Sequence, residues 1–348
     1  MHAELPFDPD APAPAGSLFG LPFGPEQAAL HLFPVPWQAT TSFRRGTRAG
    51  PKAMLEASTQ VDLFDVEYSD FWRAGIYLHP EDPEIVSWDT EAEPLALGVI
   101  AALTEGEEAP DEEALDRVNE LGRLLNEKVY EQTRALLADG RIPAVLGGDH
   151  SVPFGAIQAV AERHPGMGIL HIDAHADLRD AYEGFTWSHA SIFHNVLHHI
   201  PGVARIVQVG IRDVGQAEVE LQLGSHGRVV PFFDAEIGES LAEGSSWLSI
   251  VRRIVAALPE EVWISLDIDG LDPALCPGTG TPVPGGLSFR DLCVLLKELS
   301  RTRRIVGFDL NEVGPGDWDG IVGARVLYKL CGATLRAQKL RCAATSTG

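Results

Sequence analysis

Residues 168–180 have the sequence Gly-Ile-Leu-His-Ile-Asp-Ala-His-Ala-Asp-Leu-Arg-Asp. The apolar side chains at its start predict a short strand of a parallel sheet that is covered on both faces. Asp173, His175 and Asp177 follow at every second position, so an extended backbone places all three side chains on one side. The segment therefore combines a buried strand with a row of residues that commonly bind metal ions.

The spacing of these side chains indicates a divalent cation. Buried carboxylates this close together repel one another and take up protons unless a cation lies between them. Carboxylate and imidazole ligands suit a hard or borderline metal ion. A single Asp-x-His-x-Asp motif also fits an exposed loop with ordinary surface carboxylates, so the other strand ends have to be compared with this one.

Apolar strands alternate with helical patterns from residue 140 onward. Such alternation predicts one mostly parallel sheet between two layers of helices, with ligands bound beyond the carboxyl ends of the strands. Strands are predicted at Pro143–Leu146, Ile169–Ile172, Arg205–Val209, Val229–Phe232, Val262–Leu266 and Ile305–Phe308. The apolar run Ala28–Val35 is the first firm element of the chain and ends before Pro36. Helices are predicted at Pro51–Ala57, Asp111–Asp139, Val152–Arg163, Ser246–Ala257, Phe289–Ser300 and Trp318–Leu340. Residues 62–97 have no clear pattern.

Two further predicted strands end in residues of the same kind. The strand that ends at Leu146 leads into Gly-Gly-Asp-His-Ser, which places His150 near the edge of the sheet. A histidine in this position alone is more often a hydrogen-bonded core residue than a ligand. The strand that ends at Leu266 is followed by Asp267 and Asp269, again at alternate positions. Three strand ends of this kind are difficult to explain as solvated loops. The predicted ligands are His150, Asp173, His175, Asp177, Asp267 and Asp269.

Six ligands are too many for one tetrahedral ion and fit two ions that share carboxylates. Four aspartates balance the charge of two divalent cations, and the two imidazoles are neutral. Two ions roughly 3.5–4 Å apart activate a water molecule by lowering its pKa toward neutrality. This oxygen-rich set of ligands suits Mn²⁺, with Ni²⁺, iron or cobalt as alternatives.

Composition narrows the possible partners. The chain has 348 residues, 45% of them hydrophobic, and a formal net charge of −23. This charge disfavours nucleic acid and anionic membranes as partners and is compatible with a small cationic substrate. Four cysteines without Cys-x-x-Cys spacing disfavour a disulfide framework or a thiolate zinc site. With no apolar run of membrane-spanning length and no signal-peptide pattern, a cytoplasmic location is expected.

The domain organisation is predicted to be simple. Residues 1–27 form a Pro-rich arm that is expected to be loosely ordered or draped over a neighbouring molecule. Residues 28–342 are expected to form a single domain because no linker divides them. The loop 42–50 contains Arg44, Arg45 and Arg48, and it is either solvated or faces the substrate.

The same motifs resemble the ureohydrolase family, which includes arginase, agmatinase and guanidinase. The resemblance rests on the segments 147–151 and 173–177 and on Ser265–Pro273 with the following Pro-Gly-Thr-Gly-Thr-Pro of residues 277–282. It implies an arginase-like α/β fold with three layers, α/β/α, and a mostly parallel sheet of about eight strands. It also implies two manganese ions, release of urea from a guanidinium carbon, and a homo-oligomer, either a trimer or a hexamer.

The resemblance assigns roles to residues that spacing alone does not single out. Glu312 corresponds to the glutamate that binds the guanidinium group, where a carboxylate can form two parallel hydrogen bonds. His189 corresponds to the histidine of a mobile loop that transfers a proton to the departing nitrogen. Asp177 is the second expected proton carrier, and Trp187 is expected to contact the substrate. Apart from the family, Glu312 and His189 would be taken for ordinary surface residues.

The substrate is predicted from the loop 178–187, which is more similar to agmatinases and guanidinases than to arginases. Phe185, Trp187 and Phe193 could close a pocket around a small cation or could simply be packing residues. Guanidine or a short alkylguanidine is therefore the expected substrate, with agmatine as the alternative. Two other classes stay open: a non-catalytic partner subunit of a hetero-oligomer, and a dinuclear hydrolase of phosphate or amide substrates.

Overall fold

Eight parallel strands form one sheet in the computed structural model, which describes residues 7–105 and 111–345. Their order across the sheet is β2-β1-β3-β8-β7-β4-β5-β6. The predicted mostly parallel sheet of about eight strands is therefore confirmed. The strands are β1 (Leu30–Val35), β2 (Ile76–Leu78), β3 (Ile142–Gly147), β4 (Met167–Ile172), β5 (Val203–Ile211), β6 (Val229–Phe233), β7 (Glu261–Asp267) and β8 (Arg304–Asn311).

Helices cover both faces of the sheet and complete the three predicted layers. One face carries α1 (Gly50–Ser58), α7 (Asp234–Ala242), α8 (Trp247–Ala257), α9 (Phe289–Thr302) and α10 (Asp317–Thr345). The other face carries α2 (Pro83–Glu105), α3 (Glu112–Ala138), α4 (Phe154–Arg163), α5 (Ile192–His199) and α6 (Gln216–Gly224). No helix within the described ranges is both long enough and apolar enough to span a membrane.

The central strands are buried on both faces, as their continuous apolar runs predict. Along β4, Leu170 and Ile172 belong to the core beneath α8 and α9, whereas Ile169 belongs to the core beneath α3 and α4. Two apolar cores therefore hold the sheet from opposite sides. Several buried polar side chains, among them Asp173, Asp267 and Glu312, lie where these strands end, at the carboxyl edge of the sheet.

Several elements are not predicted from the sequence. The unassigned segment 62–97 contains β2 and most of α2, which carries Pro94 in its interior and apolar residues around much of its circumference. The helices α5, α6 and α7 are only eight or nine residues long, too short to give a clear helical periodicity. The predicted helix Trp318–Leu340 is confirmed within α10.

The N-terminal arm differs from the expectation of loose order. Leu18, Phe19 and Leu21 are buried in the core of their own chain. The Phe19 ring packs edge-on against the Tyr328 ring, with the two ring centres 4.7 Å apart. The backbone N–H of Phe19 donates to the Ser58 hydroxyl over 2.9 Å. The described part of the arm is thus anchored by apolar contacts. Residues 1–6 lie outside the described residues, and the domain boundary at residue 28 stays a prediction.

The cysteines of the described ranges are buried thiols. Cys276, Cys293 and Cys331 are free, and burial raises the pKa of each thiol above its ordinary value. Their surroundings therefore disfavour the reactive thiolate form. Cys342 lies outside the residues whose side chains are described.

Candidate metal centre and cavity

Four neighbouring strands at the centre of the sheet bring the predicted site residues together. His150 follows β3, Glu312 follows β8, Asp267 ends β7 and Asp173 follows β4. These strands lie side by side in the order β3-β8-β7-β4. Since the strands are parallel, residues far apart in the sequence meet at one edge of the sheet, where α/β proteins bind their ligands.

His150 lies among three of the predicted aspartates. Its Nδ1 atom is 2.9 Å from Asp173 Oδ2, 3.3 Å from Asp177 Oδ2 and 3.4 Å from Asp267 Oδ2. Ligand atoms that bind one ion at about 2.1 Å and at right angles are roughly 3 Å apart. The three aspartates therefore lie close enough to His150 to share a divalent ion with it. The first group of side chains whose ligand atoms all lie near one another comprises His150, His171, Asp173 and Asp177.

A second group of ligand atoms lies on the other side of Asp173. His175 Nδ1 is 3.1 Å from Asp269 Oδ2 and 3.5 Å from Asp173 Oδ1. Asp173 thus presents one oxygen to each group and is placed as a shared ligand. The two groups of described residues that could hold a metal ion overlap at this aspartate. The arrangement fits two ions, and the individual ligand roles stay predictions.

The electrostatics of the cluster support a need for cations. Burial and the neighbouring Asp173 carboxylate raise the pKa of Asp177 to about 7. Burial and three nearby acidic groups likewise raise the pKa of Asp267 well above its ordinary value. Aspartates with such pKa values take up protons near neutral pH unless positive charge is supplied. Divalent ions supply that charge and favour the ionised carboxylates, so the residues fit the metals that were predicted.

At the carboxyl edge of the sheet, two strand ends approach each other closely and two site residues have unusual backbone dihedral angles. A Cβ atom on Gly270 would lie 2.7 Å from the backbone nitrogen of Asp173, so only glycine allows the two strand ends to approach. Asp177 and Glu312 have positive φ angles of 53° and 60°, which are uncommon for residues with side chains. The Asp177 carbonyl accepts hydrogen bonds from the backbone of Phe193 and His194 in α5. Strained residues of this kind cluster at functional sites.

A buried hydrogen-bond network supports His150 from behind. Its Nε2 atom is 2.9 Å from the Ser265 hydroxyl, which donates to Asp309 Oδ1 over 2.8 Å. Trp263 and Asn311 also donate to the Asp309 carboxylate. This network orients the ring so that Nδ1 faces the aspartates. Sequence analysis did not identify it, because Ser265 and Asp309 lie inside strands.

His171 is a further residue that sequence analysis missed. It lies in β4, is fully buried, and places Nε2 2.8 Å from Asp173 Oδ2. The alternate pattern of Asp173, His175 and Asp177 extends back by one step to this histidine, so the signal was present in the sequence. Because His171 lies between apolar residues of the predicted strand, the sequence alone does not single it out.

Glu312 lines a cavity of about 340 Å³ together with His175, Asp177 and Asp267 of this cluster. Its side chain is 2% exposed, and its closest donor is the backbone N–H of His150 at 3.4 Å. Among the side chains that the structure describes, no lysine or arginine pairs with it. Burial and nearby acidic groups, Asp269 foremost, raise the pKa of Glu312 well above its ordinary value. A cation bound in the cavity would stabilise the ionised carboxylate.

His189 lies in the wall of the same cavity and is nearly buried. Its backbone N–H donates to the Thr40 hydroxyl over 3.3 Å, and its Nδ1 atom is 3.4 Å from Ser188 Oγ. Burial and the nearby His175 lower the pKa of His189 to about 4. The imidazole is therefore neutral near pH 7 and can accept a proton from a group in the cavity.

The mouth of the cavity carries both acidic and basic side chains. Arg179 lies 3.6 Å from Glu218 and stacks over the Tyr182 ring. Asp213 is exposed, and no ion pair to it occurs within the described ranges. Arg44 also lines the mouth and donates to the Pro277 carbonyl. It belongs to the loop 42–50, which the sequence predicts to be either solvated or facing the substrate. Arg45 and Arg48 instead pair with Glu93, and Arg48 also pairs with Asp89.

The aromatic residues of the substrate hypothesis pack elsewhere. The Trp187 ring packs on Phe154 at 4.9 Å and does not line the cavity. Phe185 and Phe193 are buried in the apolar core, and the Phe193 ring packs against His171 at 4.0 Å. Trp187 is thus a packing residue in this structure, and its contact with the substrate stays a prediction. Of the two roles left open for Phe185, Trp187 and Phe193, the structure favours packing, so these residues give no support to a small guanidine pocket.

Comparisons with known proteins give a consistent result. Residues 28–332 match the model of the Arginase family. The chain is 34% identical over 291 residues to an N(1)-aminopropylagmatine ureohydrolase of Thermus thermophilus, covering 83% of this chain and 84% of that protein. It is 29% identical to an agmatinase of Bacillus anthracis, covering 83% and 85%. The solved structure of an agmatine ureohydrolase of Thermoplasma volcanium superposes with a TM-score of 0.70 at 25% identity, covering 92% of this chain and 94% of that one.

Proposed function

The chain belongs to the arginase family, close to its agmatinase branch, and we propose that it is a metal-dependent hydrolase that releases urea from a guanidino compound. The observation that carries the proposal is Glu312, a buried carboxylate that faces the cavity beside the His/Asp cluster and has no described cationic partner. A planar guanidinium cation satisfies such a group through two parallel hydrogen bonds.

The balance of charges in the cavity also supports a guanidinium substrate. The aspartates 173, 177, 267 and 269 carry four negative charges, which two divalent ions neutralise. Glu312 contributes one further negative charge, and a guanidinium group contributes one positive charge. A phosphate substrate would instead add negative charge to an already acidic cavity, so a phosphate hydrolase is disfavoured.

The reaction converts a guanidinium and one water molecule into urea and an amine or ammonia, the basic product taking up a proton. Two divalent ions held by the cluster would supply an activated water by lowering its pKa. Glu312 holds the guanidinium group and so fixes the position of its carbon. His189, neutral near pH 7, accepts a proton and delivers it to the departing nitrogen, and Asp177 is the second proton carrier. Mn²⁺ is the proposed metal, with Ni²⁺ as the alternative, because the ligands are oxygens and imidazoles.

Gly280 offers a test of the Glu312 position that leaves every ligand intact. A Cβ atom on Gly280 would lie 2.6 Å from Glu312 Oε2, so Gly280→Ala should push the carboxylate away from its place. We expect KM for the guanidino substrate to rise about tenfold, because the loss of one charge-assisted hydrogen bond has an effect of this size. The metal content should not change. Gly98→Ala is the control, because that position has open space around it. Unchanged kinetics in Gly280→Ala would contradict the proposed position of Glu312.

For the substrate, we propose an alkylguanidine with an amine at its far end, as in agmatine. A cavity of about 340 Å³ exceeds what guanidine alone would fill. Asp213 lies at its mouth as an exposed carboxylate without a described ion pair, where a distal ammonium group could bind. The names of the Thermus and Bacillus relatives agree with a substrate of this class.

Replacing Asp213 tests this choice. Asp213→Asn should lower kcat/KM for agmatine roughly two- to fivefold, since a solvent-facing ion pair contributes up to about 1 kcal/mol. Butylguanidine, which lacks the distal amine, should be hydrolysed at the same rate by both proteins. Asp116→Asn, the same change on an exposed position of α3, is the control. Equal losses for agmatine and butylguanidine would argue against recognition of the distal amine.

Guanidine itself is the second candidate, and one observation favours it. Arg44 and Arg179 also lie at the mouth and would repel a distal ammonium group. Urea release from a panel that contains guanidine, methylguanidine, agmatine, N(1)-aminopropylagmatine and arginine separates the two candidates. A preference for guanidine that Asp213→Asn leaves unchanged would select the smaller substrate.

Assembly is the remaining part of the proposal. A homo-oligomer, trimer or hexamer, is proposed from the family resemblance, and light scattering of the purified protein measures it. Urea release by the purified chain without another protein would rule out the alternative of a non-catalytic partner subunit. The presence of the whole predicted ligand set together with Glu312 and His189 supports an active chain.

A further inference from the structure

A row of polar side chains crosses the apolar core between β4, β5 and α6. His171 and Gln208 are paired in register on β4 and β5, and both are fully buried. Gln222 on α6 is 4% exposed and lies beside Gln208. Buried polar residues inside parallel strands cost free energy unless their hydrogen bonds are satisfied. Their presence among apolar residues therefore needs a reason.

The hydrogen bonds of Gln208 fix the direction of the whole row. Its Nε2 donates to the backbone carbonyl of Ala176 over 2.8 Å, and since a carbonyl can only accept, the orientation of the amide is determined. The Gln208 Oε1 atom accepts from Gln222 Nε2 over 2.7 Å. The second N–H of Gln208 then points to His171 Nδ1 at 3.0 Å. His171 Nδ1 is consequently an acceptor without a proton.

The other ring nitrogen of His171 must then carry the proton in the neutral ring. His171 Nε2 lies 2.8 Å from Asp173 Oδ2 and donates to it. A nitrogen that carries a proton has no lone pair for a metal ion. His171 thus lies within reach of the ligand cluster in a tautomer that cannot bind a metal.

We propose that Gln222, Gln208 and His171 form a chain of positioning residues that directs one N–H donor onto Asp173, the aspartate shared by the two metal groups. The inference rests on the metal site of the proposed function and adds a role for three residues outside it. The hydrogen bonds from Gln222 to Gln208, from Gln208 to His171 and from His171 to Asp173 all run in one direction, so they polarise one another.

The geometry around Asp173 explains why a fixed donor matters. Its Oδ1 accepts from the backbone N–H of His175 over 2.6 Å, and its Oδ2 accepts from His171. With both oxygens held, the carboxylate plane cannot rotate, and one oxygen faces each group of ligands. The Phe193 ring, with its centre 4.0 Å from that of His171, keeps the imidazole in this orientation. Loss of a donor that orients a ligand typically weakens metal binding 10- to 100-fold.

The test compares metal affinity across a set of variants. Gln208→Leu and His171→Leu should each weaken binding of Mn²⁺ about 10- to 100-fold in competition with a chelator. His171→Gln, which can keep an N–H near the Nε2 position, should recover most of the affinity. Asn126→Leu is the matched control, a buried amide on α3 away from the site, and should bind Mn²⁺ as the unchanged chain does. Thermal unfolding of the metal-free proteins checks that every variant folds.

The absorption spectrum of the Co²⁺-substituted protein separates positioning from ligation. If His171 only positions Asp173, the visible bands of His171→Gln should match those of the unchanged chain. A changed coordination spectrum in His171→Gln would show that His171 binds the ion and would overturn the inference. Native Mn²⁺ affinity in folded Gln208→Leu and His171→Leu would overturn it as well. These readouts do not depend on urea release, so failure of the proposed substrate would leave them interpretable.

Discussion

Replacing Asp267 with alanine should remove metal and activity together. Asp267 Oδ2 is 3.4 Å from His150 Nδ1, and its Oδ1 accepts from the backbone N–H of Asp269. The substitution removes one negative charge and one of the predicted metal ligands. We expect fewer than two ions per chain and a loss of urea release of at least about 100-fold, because a direct ligand contributes more than an outer partner.

Asp272→Ala is the matched control for this experiment. It makes the same substitution five positions later, in an exposed part of the same loop. Metal content is measured by elemental analysis after removal of free ions, and folding by circular dichroism. Two ions per chain and normal turnover in Asp267→Ala would refute the dinuclear assignment.

Glu312→Gln should separate substrate binding from metal binding. The substitution keeps the size of the side chain and removes a buried charge that pairs with the guanidinium group in our proposal. One charge-assisted hydrogen bond contributes about 1.5–3 kcal/mol. Losing this hydrogen bond should therefore lower kcat/KM at least about tenfold for every guanidino substrate. Metal content should stay at the level of the unchanged chain, because Glu312 is not among the predicted ligands.

The control for Glu312→Gln is the same change at an exposed helical position, Glu239→Gln in α7. It reports any general effect of the lost charge. An amide or phosphate hydrolase would respond differently, since neutralising an acidic group near its substrate would be harmless or favourable. Unchanged urea release by a correctly metallated Glu312→Gln protein would remove the main support for a guanidinium substrate.

The sequence predicts most of the strand ends that carry the site residues. Strand ends that carry Asp173, Asp267 and His150 were identifiable because two-sided apolar runs mark buried parallel strands. The meeting of these ends in space also follows, since the carboxyl ends of parallel strands share one edge. The sheet order that makes β3, β8, β7 and β4 neighbours does not follow from local patterns, because it depends on long-range packing.

Other features depend on contacts that the sequence does not display. Trp187 looked like a pocket residue, but its ring packs on Phe154, and only the packing of α4 and α5 reveals this. The Pro-rich composition of the N-terminal arm predicts loose order or packing on a neighbouring molecule, yet Phe19 is buried in the core of its own chain. The supporting role of Asp309 on β8 does not show in its own strand pattern, because its partners Trp263 and Ser265 lie on the neighbouring strand β7.

The most direct test of the central claim is urea release by the purified chain with and without metal. The protein is stripped with a chelator, reloaded with Mn²⁺ or Ni²⁺, and supplied with the panel of guanidino compounds. We predict no urea from the stripped protein, and restored urea release from at least one compound once two ions per chain are bound. A folded chain that holds two ions and releases no urea from any guanidino compound would contradict this prediction.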